Sequence, residues 1–127
     1  MVHTPPPILE VYYSPTCAPC RLELPILSEL VAKDGTRVRI VVLDQEARAR
    51  HDIGEVSPLL ERQAVRSADP KPRAALLAAG DADAILPFAR AISPAGVACA
   101  TWRGGLTLQR ARMLIGACRN LISPPKR

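Results

Sequence analysis

The chain is 127 residues long, with 48% hydrophobic residues, 23% charged residues and a formal net charge of +5. That length suits one domain around one packed core, and the composition argues against disorder along its length. Aromatic residues are only 3% and the arginines are scattered over helical segments, so the basic, aromatic-interleaved stretch that marks a nucleic-acid binder is missing.

No apolar run approaches the roughly eighteen residues of a membrane span; the longest, Val38 to Leu43 and Ala74 to Ala79, are short. The N-terminus lacks a basic start, and Pro5–Pro7 stand where a leader would need an apolar helix. A cytoplasmic location is therefore expected, with no membrane and no nucleic-acid partner. The thirteen prolines exceed the usual ~5%. Their clusters predict a flexible lead over 1–7, a loop at Asp69–Pro70–Lys71–Pro72, and a flexible tail over 123–127.

Ile8 to Tyr13 (ILEVYY) is rich in β-branched and aromatic residues and predicts a strand, broken by Ser14–Pro15–Thr16. Cys17 to Ala32 reads as a helix, with Leu22, Ile26, Leu27, Leu30 and Val31 forming one apolar face. Gly35 is placed to cap its end in a left-handed conformation. Arg37 to Leu43 (RVRIVVL) is a second, mostly apolar strand, completing a βαβ unit with parallel strands. Ser57–Pro58 starts a helix over Leu59 to Ser67, and Arg73 to Ala79 forms a short one ended by Gly80. Ile85 to Ile92 and Val97 to Trp102 are strands joined by Ser93–Pro94–Ala95–Gly96. After Gly104–Gly105, a final helix runs from Leu106 to Leu121, its register set by Leu106, Arg110, Met113, Leu114, Ala117 and Leu121.

Four cysteines are present, too few for a disulfide-stapled secreted scaffold. Cys17 and Cys20 form a C-x-x-C at a predicted helix N-terminus. There the helix dipole and unpaired N–H groups favour a thiolate and lower the cysteine pKa. The thiolate is the nucleophile of disulfide exchange, and Cys20, one turn on, can resolve the mixed disulfide. Pro19 fits the first turn, where its missing N–H costs little. The bland alternative is half a zinc site, but Cys99 and Cys118 lie nineteen apart and make no second pair. Both read as buried structural cysteines, either of which could serve as a third soft ligand if it faced the site. His3 and His51 read as solvated, and Trp102 as a packing residue.

The stretch T-CAPC-RLELPILSELV, Thr16 to Val31, resembles the active-site segment of the thioredoxin superfamily. The basic Arg21 after the motif, Pro25 five residues past the second cysteine, and Ile26–Leu27 all match. The lead-in Tyr13–Ser14–Pro15–Thr16 is more similar to small glutaredoxin-like members. Leu86–Pro87, the following strand pair, Gly104–Gly105 and the last helix resemble the family's cis-proline hairpin. The likeness spans roughly residues 8–44 and 85–121.

It implies an α/β, thioredoxin-like fold: a four-stranded mixed sheet flanked by helices, within a single domain over 8–122. A small helical insertion over 45–84 would separate the second strand from the cis-proline strand. It also implies Cys17 and Cys20 as catalytic residues, and Thr16, Ala18, Pro19, Leu86, Pro87 and Gly104 as the substrate groove. The backbone of Leu86 would pair with an extended substrate peptide. The expected function is thiol–disulfide exchange, reducing or exchanging protein or glutathione-type disulfides, with an upstream thiol reductase and no cofactor or metal. The family's buried acid six residues before the first cysteine falls on Val11, and its lysine partner near Val42, so neither is kept; Glu10 lies on the other face of the strand. Two readings compete with exchange: a soft-metal or metalloid carrier of the arsenite-chaperone type, and an adaptor whose insertion is a redox-switched partner surface.

Overall fold

The computed structural model describes residues 5–67 and 71–122; the expected flexible tail, and residues 1–4 of the lead, lie outside them. Strand β1 (Ile8–Tyr13) sits in the middle of the sheet. It leads into helices α1 (Ala18–Leu22) and α2 (Leu24–Glu29), a wider π-type turn over Leu30–Asp34, and strand β2 (Arg37–Val42). Helices α3 (Glu46–Val56) and α4 (Pro58–Ala64), strand β3 (Val65–Ser67) and helix α5 (Pro72–Ala78) follow. Strands β4 (Phe88–Ile92) and β5 (Ala98–Arg103) and helix α6 (Leu108–Ile122) complete the fold.

The sheet order is β3-β2-β1-β4-β5. β1, β2 and β3 are parallel, while β4 and β5 run antiparallel to their neighbours. The sheet therefore has five strands, not the four expected. The fifth, β3, is a three-residue edge strand that leaves too short a pattern for period-two alternation to register. It also corrects the view of 45–84 as purely helical, and it ends α4 at Ala64.

The core lies mainly on one face. Leu9, Val11 and Tyr13 point there from β1, with Ile40 and Val42 from β2 and Ala89 and Ala91 from β4. Leu24, Leu27, Ile53, Leu60, Leu114 and Ile115 of the helices close over them. The other face carries a smaller cluster, Tyr12 and Phe88 under Leu76 and Ala79. The predicted face of the last helix is rotated: Ala111, Leu114, Ile115 and Cys118 are buried and Met113 is exposed.

The first helix is also interrupted rather than continuous. Pro25 occupies the second position of α2 and has no N–H to offer the preceding turn. The chain breaks at Glu23, whose N–H bonds Cys20 O at 3.2 Å. The break moves Leu22 off the apolar face, leaving it 76% exposed.

Cys99 of β5 and Cys118 of α6 are bonded to each other, with Cα atoms 5.0 Å apart. The expectation of two unpaired buried cysteines is thus half met: Cys118 is fully buried and Cys99 partly so, but they form a disulfide. Closing a loop of nineteen-residue separation stabilises a chain by about 3 kcal/mol, chiefly by restricting its unfolded state. The paired replacement Cys99→Ser with Cys118→Ser should therefore lower the unfolding free energy by about that amount in non-reducing buffer, read as a lower urea midpoint. An unchanged midpoint would show that the bond adds nothing to stability.

Candidate active site

β1 ends at Tyr13, and the turn that follows is fastened by side chains. Ser14 Oγ donates to Asp44 Oδ1 at 2.7 Å and lies 2.9 Å from Thr16 Oγ1. Asp44 follows β2, so the ends of the two central strands are tied together beneath the motif. Cys17 N–H then bonds Ser14 O at 3.0 Å, setting the backbone for the helix start.

Cys17 is the N-cap of α1, in extended conformation, with Pro19 within the first turn. Its sulfur accepts the Cys20 N–H at 3.2 Å, the role a serine or aspartate oxygen usually fills. Cys17 is partly exposed and Cys20 is 1% exposed. The two are joined as a disulfide, with Cα atoms 5.2 Å apart. The outer sulfur, held by an N–H at a helix N-terminus, is thus the more accessible of the two.

The Leu86–Pro87 peptide is cis. The β1–β4 register, Tyr12 opposite Phe88, puts Pro87 level with Tyr13, just below the cysteine turn. Gly104 N–H donates to Pro87 O at 3.0 Å, and Gly104 has φ +112, a conformation that disfavours a side chain. Pro87 and Gly104 are therefore brought together beside the end of β1. Thr16, Ala18 and Pro19 are exposed on the motif side, and Leu86 is half-buried on the other. Among the described residues no hydrogen bond uses the Leu86 backbone. The turn before it is pinned by Arg103, which pairs with Asp83 and lies 3.8 Å from the buried Asp81. Ala84, in that turn, holds a left-handed φ of +52, a strained value for a residue with a side chain.

Val11 is core, as the resemblance implied, and Glu10 points to the opposite face. The acid near the cysteines is one that sequence reasoning missed. Glu23, three residues after Cys20, is 3% exposed. Its Oε2 accepts Leu106 N–H at 2.7 Å. Burial pushes its pKa up to about 7, against the opposing pull of that N–H. The signal was present as a charged residue one helical turn from Cys20; the break at Pro25 turned it inward. Cys99 and Cys118, considered as a third soft ligand, are occupied by each other.

No protein-family model matches the sequence, and no curated protein matches it. Solved structures do. A thioredoxin-related protein from Neisseria meningitidis serogroup B superposes with TM-score 0.71 at 18% identity, over 91% of this chain and 86% of that one. The chain has the thioredoxin fold. The same fold is shared with an exposed lipoprotein thioredoxin from Streptococcus pneumoniae (TM-score 0.63, 18% identity, 87% and 84% covered). It is shared also with a secreted disulfide oxidoreductase from Mycobacterium tuberculosis (TM-score 0.58, 13% identity, 90% and 81% covered). Within this thioredoxin fold, Cys17, Cys20, Pro87 and Gly104 gather at the C-terminal end of β1, as the sequence motif implied.

Glu23 gives stability a defined pH dependence. Its native pKa, about 7, lies above the ordinary carboxyl value of 4.5. A group raised in this way stabilises fully below its unfolded pKa, and the contribution is lost as pH rises through the native value. The difference corresponds to about 3 kcal/mol lost between roughly pH 4 and pH 8. Glu23→Gln should therefore flatten the stability profile across that window, as measured by urea unfolding at each pH. Parallel wild-type and variant profiles would show that Glu23 is not held above its ordinary range.

Proposed function

We propose that this chain is a thiol–disulfide oxidoreductase acting on protein or small-molecule disulfides through Cys17 and Cys20. The observation that carries the reading is the pairing of a partly exposed N-cap sulfur with a buried one, level with a cis-proline whose neighbouring backbone is unpaired. Thioredoxin-fold neighbours that include a disulfide oxidoreductase support it.

In the reducing direction, the Cys17 thiolate attacks a substrate sulfur. The substrate S–S bond breaks, a mixed disulfide forms, and the departing thiolate takes a proton from water. Cys20 then loses its proton and attacks Cys17 Sγ, releasing the second substrate thiolate and leaving the Cys17–Cys20 disulfide. Two electrons have passed to the substrate, and an external dithiol restores the pair. Glu23, with a pKa near neutrality, is suited to accept the Cys20 proton. An extended substrate would pair with the free Leu86 backbone, with Thr16, Ala18, Pro19 and Gly104 flanking it.

One observation bears on where this happens. Cys99–Cys118 is a second disulfide in the same chain, and disulfides persist in oxidising compartments rather than the cytosol. Neighbours described as secreted and as an exposed lipoprotein fit that setting. We therefore propose an oxidising compartment in place of the cytoplasmic location expected from the N-terminal sequence. Alkylation and intact-mass analysis of protein from its native cells would find Cys99 and Cys118 blocked in the first case and alkylated in the second.

Cys17→Ser should reduce dithiol-driven cleavage of a protein disulfide to background, and Cys20→Ser should accumulate substrate as a mixed disulfide on Cys17. Turnover by Cys17→Ser at the wild-type rate would overturn the assignment.

A further inference from the structure

The less covered face of the sheet holds a charged cluster that disulfide exchange does not use. Ile8, Glu10 and Tyr12 point there from β1; Arg37 and Arg39 lie beside them on β2, and Arg90 and Ile92 on β4. Glu10 is 4% exposed. Its Oε2 accepts Arg39 Nε at 2.8 Å, and Arg39 Nη2 lies 2.6 Å from the same oxygen. Its Oε1 accepts Arg90 Nε at 2.7 Å and the Tyr12 hydroxyl at 2.6 Å. One carboxylate thus fixes two guanidiniums on either side of β1. These hydrogen bonds and the nearby positive charge outweigh burial and hold the Glu10 carboxyl below its usual range, so it is ionised at neutral pH.

The clamp leaves an excess of positive charge. Three arginines face one carboxylate, and Arg37 has no acidic partner among the described residues. All three line a cavity of about 430 Å³ walled by Pro5, Pro6 and Pro94. The cavity lies toward the Ile8 end of β1, roughly 17 Å of strand from the end that carries the cysteines. Arg39 and Arg90 are held in place before any ligand arrives, which removes an ordering cost that free surface arginines would meet on binding. Glu10 engages Nε and Nη2 of Arg39 and Nε of Arg90, and Ala79 O accepts Arg90 Nη1 at 3.4 Å, which leaves Arg39 Nη1 and Arg90 Nη2 as planar donors for an oxyanion.

We propose that this cavity binds a phosphate group, with Arg37 supplying the charge left uncompensated and Arg39 and Arg90 the preset donors. The net charge of +2 on the cluster matches a phosphate monoester dianion. The site is independent of the redox reading, and either can fail without the other.

The test uses amide NMR titration of the full chain with glycerol 3-phosphate, together with sedimentation on vesicles of phosphatidylcholine with and without phosphatidylglycerol. Saturable shifts confined to Ile8, Arg37, Arg39, Arg90 and Ile92, without sedimentation, identify a soluble phosphoester as the ligand source. Sedimentation only with phosphatidylglycerol, reversed by glycerol 3-phosphate, identifies a lipid headgroup. In either case Arg37→Ala should weaken binding at least about tenfold, as expected for loss of a charge-assisted pair. Arg73→Ala, an exposed arginine on α5, should leave binding unchanged. An unchanged urea midpoint for Arg37→Ala would show that the variant is folded. Absence of saturable shifts and of sedimentation, or equal weakening by Arg73→Ala, would overturn the proposal.

Discussion

The bond from Leu106 N–H to the Glu23 carboxylate joins the two halves of the active end. A buried carboxylate is costly unless it is hydrogen-bonded or neutral. Here it receives one short N–H bond, which is not enough to hold its pKa down. The result is an acid that titrates near neutrality, one helical turn from the buried Cys20. The same bond ties the active-site helix to the corner between β5 and α6. That corner also supplies Gly104 to Pro87. Trp102 Nε1 bonds Gly105 O at 3.1 Å, and the Arg110 guanidinium lies 3.9 Å from the centre of the indole ring. Cys99–Cys118 then fastens β5 to α6 from behind. Glu23, the Pro87–Gly104 pair and the Cys99–Cys118 bond thus belong to one packed unit.

The two faces of the sheet use different physics. On the main face, apolar burial dominates and a single acid intrudes, close to the chemistry. On the other, α5 covers only the Tyr12–Phe88 end, and the strand positions beyond it include Glu10, Arg37, Arg39 and Arg90. Glu10 and its arginines satisfy one another there, which offsets the cost of burying the carboxylate and fixes side-chain geometry. A one-residue shift along β1 separates these regimes: Glu10 and Val11 are neighbours with opposite surroundings, as period-two alternation requires.

Much of this was legible in the sequence, because the signals were local. The first strand, the cysteine turn and the existence of the last helix rest on local patterns, while the cis-proline hairpin came from the resemblance to the thioredoxin superfamily. α3 was missed because Glu46–Val56 buries only Ala49 and Ile53, a stripe too narrow to give a clear apolar period. β3 was missed because edge pairing to β2, rather than its own three residues, makes it a strand. Leu22 was misplaced because Pro25 breaks the helix, and a continuous register had been extended through the break. The Cys99–Cys118 bond was not readable because pairing depends on how α6 is rotated over β5, and the expected rotation was wrong.

That rotation places a second disulfide behind the first, and the two are not chemically equivalent. Exchange requires a thiolate to approach a sulfur from outside, which Cys17 and Cys99 each allow in part. At Cys17 the sulfur stands partly exposed at the start of a helix, where a leaving thiolate is stabilised by the N–H groups around it. At Cys118 the sulfur is fully buried between α6 and β5, and any thiolate formed there would be desolvated. Each bond joins a partly exposed sulfur to a buried one, so what separates them is the helix N-terminus at Cys17, which Cys99 on β5 lacks. The Cys99–Cys118 bond holds the β5–α6 corner, and with it Leu106 and Gly104, whatever the state of the bond between Cys17 and Cys20.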